Sequence, residues 1–274
     1  MCVKLTQAIL PVAGLGTRFL PWTKSVPKEL LPVGNKPVIA LLVDECLSVG
    51  IKDICFVISR GKESIPQFFY EDNELEEELE RRGKKDLLSD LKRYNEVNFH
   101  VVYQEEQLGD GHAILQAADW VDSENVAVLF GDDLIVSDAG NGLQQMVQAD
   151  RGPRTAVRKV MMSLQDVPKE DVSRYGIVEV KQSQGRLKEI TSLVEKPTPE
   201  EAPSTLAIVG KFILPKSIFD VLPDVGAGHG GEIRLVDALI SELGKTPIYG
   251  HVFEGKRFDV GTPEGYKETV QILG

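Results

Sequence analysis

The chain has 274 residues, enough for one large or two modest domains with an extensive core, and 42 acidic against 31 basic side chains give it a formal net charge of -11. That balance argues against a nucleic-acid duplex or an anionic membrane as the main partner, since both attract a basic surface and repel an acidic one at long range. No apolar run approaches the ~20 residues of a membrane span, the start lacks the apolar region of a signal peptide, and Cys2, Cys46 and Cys55 lack metal-ligand spacing; the expectation is a cytoplasmic protein with reduced thiols, Cys46 and Cys55 buried on apolar positions.

In chain order, strand-like apolar runs fall at 7–12, 53–59, 97–103 and 126–130, and helix-like spacing of apolar residues at 38–49, 75–94 and 112–118. Strands alternating with helices predict an α/β fold with a doubly wound, mostly parallel sheet. Within 75–94, Glu77 and Glu78 stand four residues before Arg81 and Arg82, which suits paired charges on a solvated helix face. After Asp150 the pattern becomes β-rich, at 155–163, 176–181, 188–194 and 206–214, with a turn at Gln184-Gly185. This part reads as an inserted mixed-sheet region. The expectation is a single composite domain over 1–274, with a ligand-binding part at about 1–150, a second at about 151–260 and a C-terminal helix at 261–274.

The first strand runs into Ala13-Gly14-Leu15-Gly16-Thr17-Arg18, where Gly14 and Gly16 let backbone N–H groups approach an anion. The dinucleotide fingerprint fails, because Phe19 stands where its third glycine belongs, and the Gly-Lys-Ser/Thr ending of a P-loop is absent. What remains is a glycine turn followed by Arg18, Lys24 and Lys28, stiffened by Pro21, Pro27 and Pro32, which either holds a polyphosphate or is a surface loop with incidental cations. Asp132 and Asp133 end a buried strand where open α/β sheets place ligands. They fit a Mg²⁺ ion carried with phosphate, or a turn cap. Glu195 and Lys196 lie side by side before Pro197. Neighbours on an extended chain point opposite ways, so the two need a bend to meet one ligand; otherwise they are an exposed strand end. His112 reads as packed or capping and His229 as a loop residue.

The segment from Ala13 to Arg18 with Pro27-Lys28-Glu29 resembles the signature of the sugar-1-phosphate nucleotidylyltransferases, and within them the bacterial uridylyltransferases that use UTP and glucose 1-phosphate. The resemblance extends through Gln104 and "GDGHA", "GDD", "RYGIVE", "VEKP", "LAIVGKFIL", "GGEIRLVDAL" and "FDVGTPEGY". It implies a Rossmann-like nucleotidyltransferase fold with a sugar-binding β-rich insertion, a Mg²⁺-assisted enzyme that makes UDP-glucose and pyrophosphate, and a homo-oligomer, dimer or tetramer. It also assigns roles. Arg18, Lys28 and Lys196 act on phosphates; Ala13, Gly14, Leu15, Gly16, Thr17, Glu29, Gln104 and Gly109 hold the nucleotide, with Gln104 on the pyrimidine edge. Asp133, Gly176, Glu195, Lys196, Val209 and Gly210 hold the sugar phosphate, and Asp132 and Asp259 the metal. The chain departs from the pattern at Trp22, Asp110, Arg234 and Val236. A dTTP- or CTP-dependent enzyme and a non-catalytic regulatory relative are the alternatives.

Overall fold

The computed structural model describes residues 5–150, 159–181, 185–226 and 231–274. Cys2, His229, Gln184 of the expected turn and the beginning of the expected 155–163 strand lie outside the described residues. The chain starts with β1 (Gln7–Pro11), a short hairpin of β2 (Pro32–Val33) and β3 (Lys36–Pro37), helix α1 (Val38–Ser48) and β4 (Asp53–Ile58). Helices α2 (Ser64–Gln67), α3 (Asn73–Arg81) and α4 (Lys85–Lys92) lead to β5 (Asn98–Tyr103), then α5 (Asp110–Leu115), β6 (Asn125–Leu129), β7 (Asp133–Val136) and α6 (Gly142–Asp150). The second half contributes β8 (Val160–Asp166), β9 (Gly176–Val180), β10 (Leu187–Glu195), β11 (Leu206–Pro215), α7 (Ile218–Val221), α8 (Leu235–Glu242), β12 (Ile248–Val252), β13 (Lys256–Asp259) and α9 (Pro263–Leu273).

Alternation along β1 and β4 explains why both read as unbroken apolar runs. Ala8, Leu10, Ile54, Phe56 and Ile58 pack with Ile39 and Leu42 of α1 on one face of the sheet. Ile9, Cys55 and Val57 pack with Ile114 of α5 and Leu239 of α8 on the other. Strands covered by helices on both faces have no polar side. Each such Ile or Leu contributes about 1.5–3 kcal/mol on burial. Cys46 and Cys55 are free and buried, as expected from their apolar positions, and burial pushes the Cys55 thiol up to about 12.

The nine-stranded sheet has the order β5-β4-β1-β6-β11-β8-β12-β10-β9. Its first four strands are all parallel. Antiparallel pairs enter with β11 and dominate the second half, where β8 and β12 keep a parallel pairing and β9 also touches β11. The chain leaves β1 towards β4 and β5 and returns to β6 on the opposite side of β1. That reversal is a topological switch point, and ligands of open α/β sheets bind at the carboxyl ends of the strands beside it.

One sequence expectation fails here. The 75–94 segment is two helices, because Gly83 takes φ +68 and breaks the chain between α3 and α4. Asp72 caps α3 by accepting from the Leu75 amide (3.0 Å), and Glu78 pairs with both Arg81 and Arg82. Strand β12 was not foreseen. At the end of the chain, Thr262 Oγ1 accepts from the Gly265 amide (3.1 Å) and starts α9 in the expected C-terminal helix. Among the described residues no helix is long and apolar enough to cross a membrane.

Candidate active site

At the switch point, the carboxyl ends of β1 and β6 open into a cavity of about 370 Å³ whose wall includes Ala13, Gly14, Lys28, Glu29, Gln104, Gly109, Asp132, Glu195 and Lys196. A larger hollow of about 690 Å³ lies at the other end of β6, among Asp119, Asp122, Glu124 and Asp220, with Lys216 its one basic residue. Of the cations and glycines singled out from the sequence, Gly14, Lys28, Gly109 and Lys196 line the smaller one and none lines the larger.

The glycine loop is shaped by its own contacts. Gly16 has φ +65, and the Thr23 hydroxyl donates to its carbonyl oxygen (2.8 Å). A Cβ on Gly14 would meet nothing within 4 Å, so open space lies beside its backbone. Leu15, Gly16, Thr17 and Arg18 do not line the cavity itself. Arg18 reaches across to Gly261, donating to its carbonyl oxygen at 3.5 Å.

The loop expected from the sequence is wound into short turns at Thr17–Phe19 and Trp22–Lys24, and after Pro27 a third, Lys28–Leu30, carries two acting side chains. Lys28 Nζ donates to Asp132 Oδ2 (3.0 Å). Burial alone would raise the Asp132 carboxyl, but the facing Lys28, with Arg257 and Arg18 beyond it, outweighs burial and holds it below its ordinary value. Burial opposes the charge of Lys28 too, yet Asp132 and Glu29 raise its pKa. Both partners therefore stay ionised around neutral pH.

The Glu29 carboxylate accepts from Lys62 at 2.9 and 3.2 Å, and Lys62 also donates to Val12 O (2.7 Å). Burial leaves Lys62 below its ordinary pKa despite Glu29. Lys62 was missed by the sequence reading. Its signal was available: a lysine just past the carboxyl end of a parallel strand, in Arg60-Gly61-Lys62, stands at the ligand edge of the sheet.

Asp132 and Asp259 converge on Gly261. A Cβ there would lie 2.7 Å from Asp132 Oδ2 and 3.1 Å from Asp259 Oδ1, so only glycine leaves both carboxylates in place. The Val260 amide donates to Asp132 O (2.9 Å) and the Gly261 amide to Asp259 Oδ1 (2.9 Å), which ties the two segments together. Among the described residues no group of three or more His, Cys, Asp or Glu converges. Two hard oxygen donors with room for phosphate oxygens and water fit a Mg²⁺ ion, which takes one or two protein carboxylates.

Glu195 ends β10, and Lys196 has φ +48, the one positive φ of a non-glycine residue among those described. This is the bend that the sequence required. It brings Lys196 Nζ to 3.6 Å from Glu195 Oε1, on one cavity wall, while the Lys196 amide donates to Tyr175 O (2.9 Å). A non-glycine residue held left-handed costs about 1–3 kcal/mol, and such strain clusters at working sites. Gly176 lies against this pair, since a Cβ would come within 3.1 Å of Glu195 Oε2. Arg234 stands 3.9 Å from Glu195 and donates from Nε to Asp237 (3.0 Å).

Four expected sugar-side residues, Asp133, Gly176, Val209 and Gly210, are not on the cavity lining, although Gly176 lies against Glu195. Asp133 is buried in an ion pair with Arg257, which also donates to the Tyr175 hydroxyl (3.1 Å). Its other oxygen accepts from the Gly210 amide (2.8 Å), and the Gly210 carbonyl accepts from the Phe130 amide (2.7 Å). Both backbone groups of Gly210 are thereby engaged inside the protein, at the irregularity of β11 between Val209 and Phe212. Val209 packs with Ile135 and Phe253. Asp132 lies in the turn before β7 and Asp133 is the first residue of that strand, and their carboxylates part, one to the cavity with Lys28 and the other to Arg257 and Gly210.

Asp110, an unusual residue for the resemblance, has a structural task. Its Oδ1 accepts from the Leu235 amide (2.9 Å) at the start of α8, and burial raises its pKa against that bond. The backbones here are in contact: a Cβ on Gly109 would lie 2.5 Å from Ile233 O.

A parallel sheet with phosphate-sized space, paired carboxylates and several lysines at its switch point defines a nucleotide-handling phosphotransfer protein. The profile of the nucleotidyl transferase family matches residues 7–273, and the chain belongs to that family. It is 43% identical over 271 residues to the UTP–glucose-1-phosphate uridylyltransferase YngB of Bacillus subtilis strain 168, covering 98% of this chain and 90% of that protein. Its fold matches the crystal structure of an apo UDP-glucose pyrophosphorylase with TM-score 0.91 and 34% identity, over 98% of this chain and 97% of the other. A UDP-glucose pyrophosphorylase complexed with UDP-glucose matches with TM-score 0.86 and 33% identity, over 98% of both chains.

Proposed function

We propose that this nucleotidyltransferase joins UTP to glucose 1-phosphate, forming UDP-glucose and releasing pyrophosphate. The observation that supports the reading is the bend at Lys196, beside which an ammonium and a carboxylate, Lys196 and Glu195, stand on the wall of the cavity that Lys28 and Asp132 also line. The names of the relatives supply the two substrates. A phosphate oxygen of the sugar phosphate attacks the α-phosphorus; the bond from that phosphorus to the bridging oxygen breaks, and pyrophosphate leaves with its electron pair. The attacking group is already anionic at neutral pH, so no protein nucleophile or base is required.

The chain's residues hold two anions together and offset their repulsion. Lys196 holds the sugar phosphate, and Glu195, beside Gly176, accepts from sugar hydroxyls. Arg18 and Lys28 hold the triphosphate at the glycine loop, and Gln104 and Gly109 meet the base. Asp132 and Asp259 would hold Mg²⁺, which when bound neutralises phosphate oxygens. Asp133, Val209 and Gly210 act from behind the wall, fixing its position. Within this reading the enzyme is cytoplasmic and a homo-oligomer, dimer or tetramer, as its resemblance implies.

Pyrophosphate release across UTP, dTTP, CTP, ATP and GTP with several hexose 1-phosphates tests the proposal. UTP with glucose 1-phosphate is expected to give the highest kcat/KM; a different pair leading by tenfold or more would refute it.

A further inference from the structure

The resemblance gives Arg234 no role, since the chain departs from its pattern there. In the structure Arg234 lies on the cavity wall with Glu195 and Lys196, its side chain 18% exposed. The backbone around it is fixed, because the Leu235 amide donates to Asp110 Oδ1 (2.9 Å) and Ile233 O accepts from the Gly111 amide (2.9 Å). Its Nε donates to Asp237 Oδ2 (3.0 Å), which orients the guanidinium plane. Among the described residues Nη1 and Nη2 donate no hydrogen bond, for Nη1 stands 3.9 Å from Glu195 Oε1, beyond hydrogen-bond reach. The donors on both terminal nitrogens are left for a ligand.

Lys196 is in the same condition. Its Nζ stands 3.6 Å from the same Glu195 oxygen, so that oxygen is flanked by two cations and hydrogen-bonded to neither. Cations this close to one oxygen can both meet the oxygens of a single phosphate. Charge points the same way. Asp110, Glu195 and Glu232 line this side of the cavity, and a phosphate monoester brings about 1.5–2 further negative charges at neutral pH. Lys196 alone, 60% exposed, leaves that repulsion largely unanswered. An arginine already held by Asp237 loses little freedom on binding, and its planar donors match phosphate oxygens. We infer that Arg234 is a second phosphate-binding residue on the sugar side: its terminal nitrogens and Lys196 Nζ share the phosphate of the sugar 1-phosphate. The inference rests on the proposed placement of that phosphate at Lys196. Binding draws both cations off Glu195 and leaves its carboxylate to the sugar hydroxyls.

The test is kcat and KM for glucose 1-phosphate, for its epimeric hexose 1-phosphates and for UTP, with Tm, in three variants. Arg234→Gln removes the charge and is expected to raise KM for every hexose 1-phosphate by a similar factor, about tenfold, with KM for UTP unchanged. Arg234→Lys keeps the charge and is expected to recover most of the loss, and it covers the case in which the glutamine variant is unstable. A native KM for glucose 1-phosphate in Arg234→Gln would overturn the inference. So would a change in the ratios among epimers, which would mean that Arg234 acts by placing Glu195, and so would a loss that follows Tm and affects UTP equally. Lys196→Ala separates the two levels. If it raises KM for the sugar phosphates while Arg234→Gln does not, only the role of Arg234 fails; if neither does, the placement of the phosphate fails and the role of Arg234 with it.

Discussion

Two lysine–carboxylate pairs lie in different regions of this molecule. Inside the core, under α1, Lys211 donates to Glu45 at 2.7 Å, with side chains 0% and 5% exposed. At the switch point, Lys28 donates to Asp132 at 3.0 Å, with side chains 15% and 35% exposed. The distances barely separate them; the surroundings do. The second oxygen of Glu45 accepts from the Leu143 amide (2.7 Å), so that pair is closed by protein and joins α1, α6 and β11. Asp132 instead has Asp259 and the Gly261 backbone beside it and faces the cavity. A closed pair can only hold elements together. An open pair can exchange partners, with a phosphate replacing the carboxylate on the lysine and a cation replacing the lysine on the carboxylate. Glu29 and Lys62, 1% and 9% exposed at 2.9 Å, stand between these cases, since the pair is sealed yet its glutamate forms cavity wall.

The largest expected effect is on stability. Glu45→Ala leaves Lys211 buried and unpaired, and should destabilise the protein by about 3–5 kcal/mol, lowering Tm by roughly 10 °C. The fraction still folded should keep its kcat. Replacing both partners with methionine should recover most of the loss, because the cost lies in the orphaned charge. Thermal unfolding of the single and double variants checks this, and a double variant as unstable as the single one would mean the pair itself is stabilising.

Lys28→Ala should do the reverse, lowering kcat by about 10²-fold or more with little change in Tm. Unchanged kcat with a raised KM would make Lys28 a uniform binder of both ground and transition state. Lys62→Ala is expected to move both readouts, with kcat down about tenfold and stability down by about 1–3 kcal/mol, as Glu29 loses its partner. A change in Tm alone would move Lys62 to the structural side of the comparison.

The smallest effect belongs to the sugar side. Glu195→Gln should reduce discrimination among hexose 1-phosphates severalfold, whereas Lys196→Ala should slow all of them by a similar factor, since the phosphate is common to every one. Relative kcat/KM values across epimeric hexose 1-phosphates distinguish the two, and equal effects on every sugar from both variants would contradict the separate roles.

How much of this was legible depended on whether the determining contacts were local. The glycine turn, the proline-stiffened cations and the bend needed at Glu195-Lys196 follow from steric and pairing rules acting over a few residues, and the structure has each of them. The partners were not legible. Lys28 meets Asp132 from 104 residues away, and Lys62 meets Glu29 from 33 away, so no window along the chain contains both members. The fate of Asp133 was invisible for the same reason: only the arrival of Arg257 and Gly210 shows that its carboxylate is engaged. The strands of the parallel half were legible because burial on two faces leaves an apolar run, whereas β12, Ile-Tyr-Gly-His-Val, carries a glycine and a histidine and gives no such run.

The most direct test of the open-pair account is pyrophosphate release from UTP and glucose 1-phosphate by Asp132→Asn, measured over a Mg²⁺ titration beside its Tm. The amide keeps the shape of the carboxylate and removes its charge, so the account predicts a loss of about 10³-fold in kcat, not recovered at high Mg²⁺, with Tm within a few degrees of the native protein. Native turnover in that variant would contradict the account, as would a loss of activity that merely tracks unfolding.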